Sequence, residues 1–223
     1  MKQYLVLLMI GVAMFLAGCE DVIEPEEQTE QLYELTLTVM LVDKFIPAIK
    51  VELSGEPKDL NIELKAPDDN VTTKRIYSDN FTQNSGEVVF YISEAGVLPL
   101  EGKYRVIVRD GGRGVASESL TLNGPDLVIT EAEFNITGTT LHNVIIGIEN
   151  KGNTPGFAQE AIIKVGDEPV RGWLFYNGIE PGEIVEINIP RTFNIAEDGS
   201  HINIWIYYKQ KLVASYETDI YPE

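Results

Sequence analysis

"YELTLTVMLV", residues 33–42, puts Tyr33, Leu35, Leu37, Val39 and Leu41 on one side of the chain and Glu34, Thr36 and Thr38 on the other. Alternation with period two, in residues that favour extended backbone, is the mark of a strand with one face buried and one face wet. The same alternation returns in "IKVEL" through Ile49, Val51 and Leu53, and in "LNIELKA" through Leu60, Ile62 and Leu64. Segments with a helical period are almost absent. "SEAGVLPL" (93–100) has room for one turn before Pro99 stops it.

Working outward, Pro67-Asp68-Asp69-Asn70 breaks the chain in a turn, and "TTKRIY", "EVVFYI" and "GKYRVIVRD" continue the strands. "DGGRG" makes a tight hairpin into "VASESLTL". Asn123-Gly124-Pro125 is the clearest boundary, because all three residues favour turns and proline cannot continue a ladder. Beyond it the strands restart in "DLVITEAEFNI", "NVIIGIEN", "FAQEAIIKV", "WLFYN", "EIVEINIP", "HINIWIYYK" and "KLVASYETDI". Two blocks of short strands with turn residues between them predict an all-β protein built as two tandem immunoglobulin-like β-sandwiches. We place domain 1 at residues 32–123 and domain 2 at 124–223, with a restricted hinge between them.

The segment before the first strand has a different character. Lys2 precedes an apolar run from Tyr4 to Gly18, short of the ~20 residues that a spanning helix needs. It predicts a signal peptide over residues 1–18. Cys19 is the sole cysteine and stands at the end of that run. The acidic stretch "EDVIEPEEQTEQ" after it predicts an extended spacer, so residues 19–31 form a tether. Leu16-Ala17-Gly18-Cys19 resembles the lipobox of prokaryotic lipoproteins. That resemblance implies cleavage before Cys19, lipid on its thiol, and a place at the outer face of the cytoplasmic membrane or the cell surface. With the thiol consumed, stability must come from packed cores, since no disulfide is available.

The second block also resembles a family. Asp126-Leu127-Val128-Ile129, "IIGIENKGNTPG" (145–156) and "GIEPGEIVEINIP" (178–190) are similar to the CARDB-type immunoglobulin-like domain. Here Asn150 and Gly152 suit a bulge or left-handed turn, and Pro181-Gly182 suits the turn into the next strand. "EGKYRVIVRD" in the first block looks like a late strand of extracellular immunoglobulin-like modules.

Against 17 Lys and Arg stand 35 Asp and Glu, a formal net charge of −18. Such a surface repels phosphate backbones, so nucleic acid is not an expected partner. His142 and His201 belong to no metal-ligand spacing, and no nucleophile elbow, Walker A loop or dinucleotide fingerprint is present. We therefore expect no enzyme activity, no metal and no cofactor. Acidic turns at Pro67–Asn70 and Ala196–Ser200 lack EF-hand spacing and have the residues that tight turns need anyway. The sequons at Asn70, Asn80 and Asn135 are candidate N-glycosylation sites, the first two in predicted loops.

One strand stands out for binding. In "HINIWIYYK" (201–209), Ile202, Ile204, Ile206 and Tyr208 form the natural core side, leaving Asn203, Trp205 and Tyr207 outward. Two outward rings beside an amide suit stacking on a sugar or a partner loop; the other reading is a flipped register or packing under the first domain. Trp173 and Phe175 lie in "GWLFYNG", so apolar that both of its faces are expected to be covered. The expected function is a non-catalytic binding or structural module at the cell envelope, with carbohydrate or an envelope protein as partner. The alternative is an accessory subunit of a membrane-bound transporter or enzyme.

Overall fold

A computed structural model describes residues 32–223. The expected signal peptide, Cys19 and the expected acidic spacer lie outside the described residues. Within them the chain is a succession of strands, and every long strand foreseen from the period-two pattern is present.

The first sandwich is built from β1 (Glu34–Val42), β2 (Ile46–Ser54), β3 (Leu60–Lys65), β4 (Val71–Ile76), β5 (Ser85–Tyr91), β6 (Gly102–Asp110) and β7 (Arg113–Leu122). One sheet runs β1-β2-β5 and the facing sheet runs β4-β3-β6-β7, with antiparallel pairing throughout. Ile49, Val51, Leu53, Ile62, Phe90, Val106 and Val108 are wholly buried between the sheets, as alternation requires. Burial of such side chains stabilises by roughly 1.5–3 kcal/mol each. Tyr104, near the start of β6, is 1% exposed, and its hydroxyl donates to the Leu100 carbonyl at 3.0 Å. This is the tyrosine corner of immunoglobulin-like sandwiches, which pins a strand to the loop that feeds it.

The second sandwich repeats the plan with β8 (Leu127–Thr137), β9 (Thr140–Asn150), β10 (Gly156–Val165), β11 (Arg171–Ile179), β12 (Ile184–Ile189), β13 (Phe193–Asn194), β14 (Ser200–Tyr208) and β15 (Lys211–Ile220). One sheet runs β12-β9-β8, with β13 also on β9, and the other runs β11-β10-β14-β15. Val144, Ile146 and Ile148 on β9 meet Ala161, Ile163, Ile202, Ile204 and Ile206 from the facing sheet, all of them fully buried. One element differs from the sequence expectation: the two-residue strand β13 is too short to leave a periodic signal. "SEAGVLPL" makes the single turn expected of it, closed by Val97 N–H to the Glu94 carbonyl at 3.1 Å.

The link between the sandwiches is held along its length. Asn150 is completely buried. Its Oδ1 accepts from the N–H of Asp126 at 3.2 Å and of Gly152 at 3.1 Å. Its Nδ2 donates to the carbonyls of Thr154 at 2.8 Å and Ile179 at 3.0 Å. Of the bulge or left-handed turn expected at Asn150 and Gly152, the turn is absent, since neither has a positive φ, and the β8–β9 register reaches Asn150 without a shift there. Gly152 is needed for space, because a Cβ there would lie 2.6 Å from the Asp126 nitrogen and 2.7 Å from the Gly124 carbonyl oxygen. Pro181-Gly182 does make the expected turn, with Gly182 at φ +77° and Glu183 N–H reaching the Glu180 carbonyl at 3.0 Å. Asn153 ties the clamp back to the first sandwich, its Oδ1 accepting from Asn123 N–H at 2.9 Å and its Nδ2 donating to the Thr121 carbonyl at 2.6 Å.

Candidate functional site

The sheet β11-β10-β14-β15 has one face in the core and the other in solvent. On β14 the alternation falls as the sequence predicts, with Ile202, Ile204 and Ile206 buried and Asn203, Trp205 and Tyr207 partly buried on the outer side. The structure thus brings the three candidate residues together on an open sheet face, not under the other sandwich.

Cross-strand register supplies their neighbours. Trp205 stands opposite Ile162 on β10 and Ser215 on β15, and Ile162 in turn stands opposite Gly172 on β11. Tyr207 stands opposite Glu160 and Leu212, and Glu160 opposite Leu174, which is 72% exposed. Asn203 stands between Lys164 and Glu217. Directly opposed residues share a face about 4.5–5.5 Å apart, so each triplet is a contiguous rung. The Trp205 rung is low at its Ser215 end, while at the other end the Glu160 carboxylate lies over Gly172, its Oε1 3.1 Å from where a Cβ there would sit. Neither the indole N–H of Trp205 nor the hydroxyl of Tyr207 has a hydrogen-bond partner among the described residues. Sequence alone does not reveal Gly172, Ser215, Ile162 and Leu212 as part of this face, since register is what assembles them.

The expectation for "GWLFYNG" needs correcting. Trp173 and Phe175 do pack against the core, and Arg191 stacks over the Trp173 ring at 4.7 Å. The other face is open, with Leu174 in solvent and Tyr176 41% exposed. An edge strand of a sheet covered on one side has no second layer to bury its outer residues.

Near one end of this face the sandwiches dock. Phe157, Tyr208 and Leu41 form a small buried cluster between them. The Phe45 ring lies 5.1 Å from that of Tyr176, and the Phe157 ring 5.4 Å from that of Tyr208. Leu41 N–H donates to Glu180 Oε1 at 2.8 Å, and the Tyr208 hydroxyl donates to the Gly96 carbonyl. Gly178 faces the turn after β1 so closely that a Cβ would collide with the Lys44 carbonyl and sit 2.6 Å from Leu41 Cδ1. Burial, then the adjacent Tyr208 hydroxyl, pushes the Tyr176 phenol above its usual pKa, with Lys209 opposing. A groove of about 230 Å³ runs beside this contact, lined among others by Leu98, Glu101, Pro125, Lys211 and Leu212.

Asn70, Asn80 and Asn135 are all exposed, the last within β8 and not in a loop. His142 lies inside β9 with its side chain exposed, one residue earlier than the strand expected from sequence begins. His201, at the far end of β14, has Nδ1 2.9 Å from Asp219 and Nε2 3.9 Å from Glu217, with half of its side chain in solvent. Among the described residues no three His, Cys, Asp or Glu side chains converge as a metal site would need, and no helix is long and apolar enough to cross a membrane.

No protein-family model matches the chain, and no curated protein matches it. Among solved structures it is similar to red sea bream transglutaminase, at 9% identity over 86% of this chain and 31% of that one, with a TM-score of 0.33. A segment of two fibronectin type III domains from chicken tenascin shares 7% identity over 84% of this chain and 99% of its own, with a TM-score of 0.29. A tetra-tandem repeat from the extending region of a large adhesion protein shares 10% over 84% and 48%, with a TM-score of 0.32. The chain therefore spans about a third of the transglutaminase's length and about half of the adhesion fragment's.

Proposed function

We propose that this protein is a lipid-anchored, non-catalytic module of the cell envelope. Two docked sandwiches extend from the tether, and the outer face around Asn203, Trp205 and Tyr207 meets a ligand. The observation that carries this reading is the direction of the chain through the joint. Leu32 N–H pairs with the Val115 carbonyl at 2.8 Å, at the pole of the first sandwich remote from the joint. The strand that follows runs to Leu41 and Phe45 at the joint itself. An anchor before residue 32 would then sit at the pole of the first sandwich remote from the second, which carries the Trp205 face. The lipobox at Leu16–Cys19 and the CARDB-like pattern of the second sandwich support the same role.

Metabolic labelling of wild type and Cys19→Ser with a radioactive fatty acid tests it. Label on the wild type alone, with the sandwiches degraded by protease added to intact cells, is the expected result. Equal labelling, or full protection from protease, overturns it. Stoichiometric recovery of an integral membrane protein with the chain would favour the accessory-subunit role instead.

A further inference from the structure

The geometry points to the ligand class of that face: an uncharged glycan chain lying along β14, its far end in the groove at the domain joint. This rests on the module role proposed above and names what the module would hold.

Three features of the face select that class. The rings of Trp205 and Tyr207 sit at alternate positions of one strand, about 7 Å apart along it, with Ser215 leaving one end of the Trp205 rung low and the Glu160 carboxylate closing the other over Gly172. A flat apolar ring face with an open approach suits the C–H face of a pyranose. Hydrogen-bonding groups then rim the floor at sugar-edge height: the unpartnered indole N–H and phenol, the Asn203 amide, the Lys164 amine and the Glu160 and Glu217 carboxylates. A protein partner fits this rim poorly. A stable protein interface wants about 800 Å² per side with charge depleted at its centre, whereas charged groups stand in both rungs that flank Trp205. The formal net charge of −18, with Glu160, Glu217 and Glu101 near the path, repels uronic-acid and phosphate-bearing polymers, which leaves an uncharged chain.

The path has a direction. Leu212 shares the rung of Tyr207 and also lines the groove with Leu98 and Pro125, so floor and groove form one surface. From Asn203 to Tyr207 the floor is on the order of 14 Å long, and the groove lengthens it. The clamped link and the buried cluster of Leu41, Phe157 and Tyr208 hold groove and floor in one alignment. Long oligosaccharides should therefore bind better than short ones.

The test is isothermal titration calorimetry on the full chain in a zwitterionic detergent, which has no sugar headgroup to compete. The probes are cellohexaose, chitohexaose, mannohexaose and maltohexaose, their disaccharides, and a heparin hexasaccharide. Saturable heat with at least one neutral hexamer, weaker heat with its dimer and none with heparin is expected. Trp205→Ala should weaken the hexamer about tenfold or more and Tyr207→Ala several-fold, with unchanged melting temperature. Should either alanine variant unfold, Trp205→Tyr and Tyr207→Phe keep the floor and must retain binding. Leu98→Asp, in the groove but on no rung of the floor, should weaken the hexamer and leave the dimer unchanged. No heat with any neutral hexamer, tighter binding of heparin, or an affinity indifferent to Trp205 overturns the glycan assignment. If such a failure comes with Cys19 still labelled and the sandwiches still exposed on cells, the module role stands and only the ligand class falls.

Discussion

Asn150→Ala is the sharpest test of how the second sandwich is held together. The side chain has no solvent exposure and makes four hydrogen bonds, two accepted by Oδ1 and two donated by Nδ2. A net contribution of about 1 kcal/mol per bond gives roughly 4 kcal/mol, and buried groups left unpaired cost about 1–3 kcal/mol each. Water can reach the Asp126 and Gly152 N–H groups, which are only partly buried, but not readily the carbonyls of Thr154 and Ile179. We therefore expect a loss of about 3–4 kcal/mol, a large part of the ~5–15 kcal/mol of a typical domain. The melting temperature should fall on the order of 15–25 °C. Both tryptophans, Trp173 and Trp205, lie in the second sandwich, so urea unfolding followed by tryptophan emission reports on it selectively. Asn150→Asp keeps the acceptor but turns a carboxylate toward two carbonyls, and should be no more stable than the alanine variant. A loss below about 1 kcal/mol for Asn150→Ala would refute the bracket as a stabilising element.

Gly178→Ala forces a Cβ into the Lys44 carbonyl and Leu41 Cδ1. An overpacking cost of about 1–3 kcal/mol should part the sandwiches, read as a broader, longer particle in small-angle scattering; an unchanged scattering curve would count against the joint. Tyr104→Phe removes the hydroxyl bond to the Leu100 carbonyl and should cost about 1–1.5 kcal/mol in the first sandwich, measured by urea unfolding followed by circular dichroism. Burial first of all raises the pKa of Tyr33, Tyr104 and Tyr176 above the usual 10.0 in the folded chain. The folded state then holds these protons more tightly than the unfolded state. Stability is fully present below pH 10 and falls as pH rises through the raised values, which alkaline melts with tyrosinate absorbance at 295 nm would show. Tyrosinate appearing at its ordinary pH without loss of stability would contradict it.

Much of this fold was legible because strand alternation is local. Leu35, Leu37 and Val39, or Ile202, Ile204 and Ile206, declare an inner face without reference to any partner strand. The outward placement of Trp205 and Tyr207 follows from the same rule. The rung around them did not, since Gly172, Ile162 and Ser215 meet only through register across four strands. Asn150 looked like a turn former, because its composition cue is the same whether the side chain caps a turn or fills a buried bracket. The joint was the least readable element. Phe157, Tyr176 and Tyr208 look like ordinary strand aromatics, and nothing local says that Phe45 and Gly96 complete them.

The joint also bears on how such a chain can be rearranged. The two sandwiches share one strand plan, which invites the view that they are interchangeable units. Yet each owns only half of the contact: the first supplies a turn bearing the Phe45 ring, a leucine and a carbonyl, the second Phe157, Tyr176, Tyr208 and a glycine. Cut apart at Asn123, the second unit would expose Phe157 and Tyr208, now 1% and 6% accessible, as a sticky patch at its end. Transplanting either unit into another protein thus demands a matching neighbour. Recombination of this pair is constrained by a few side chains at the seam, however generic the two scaffolds are.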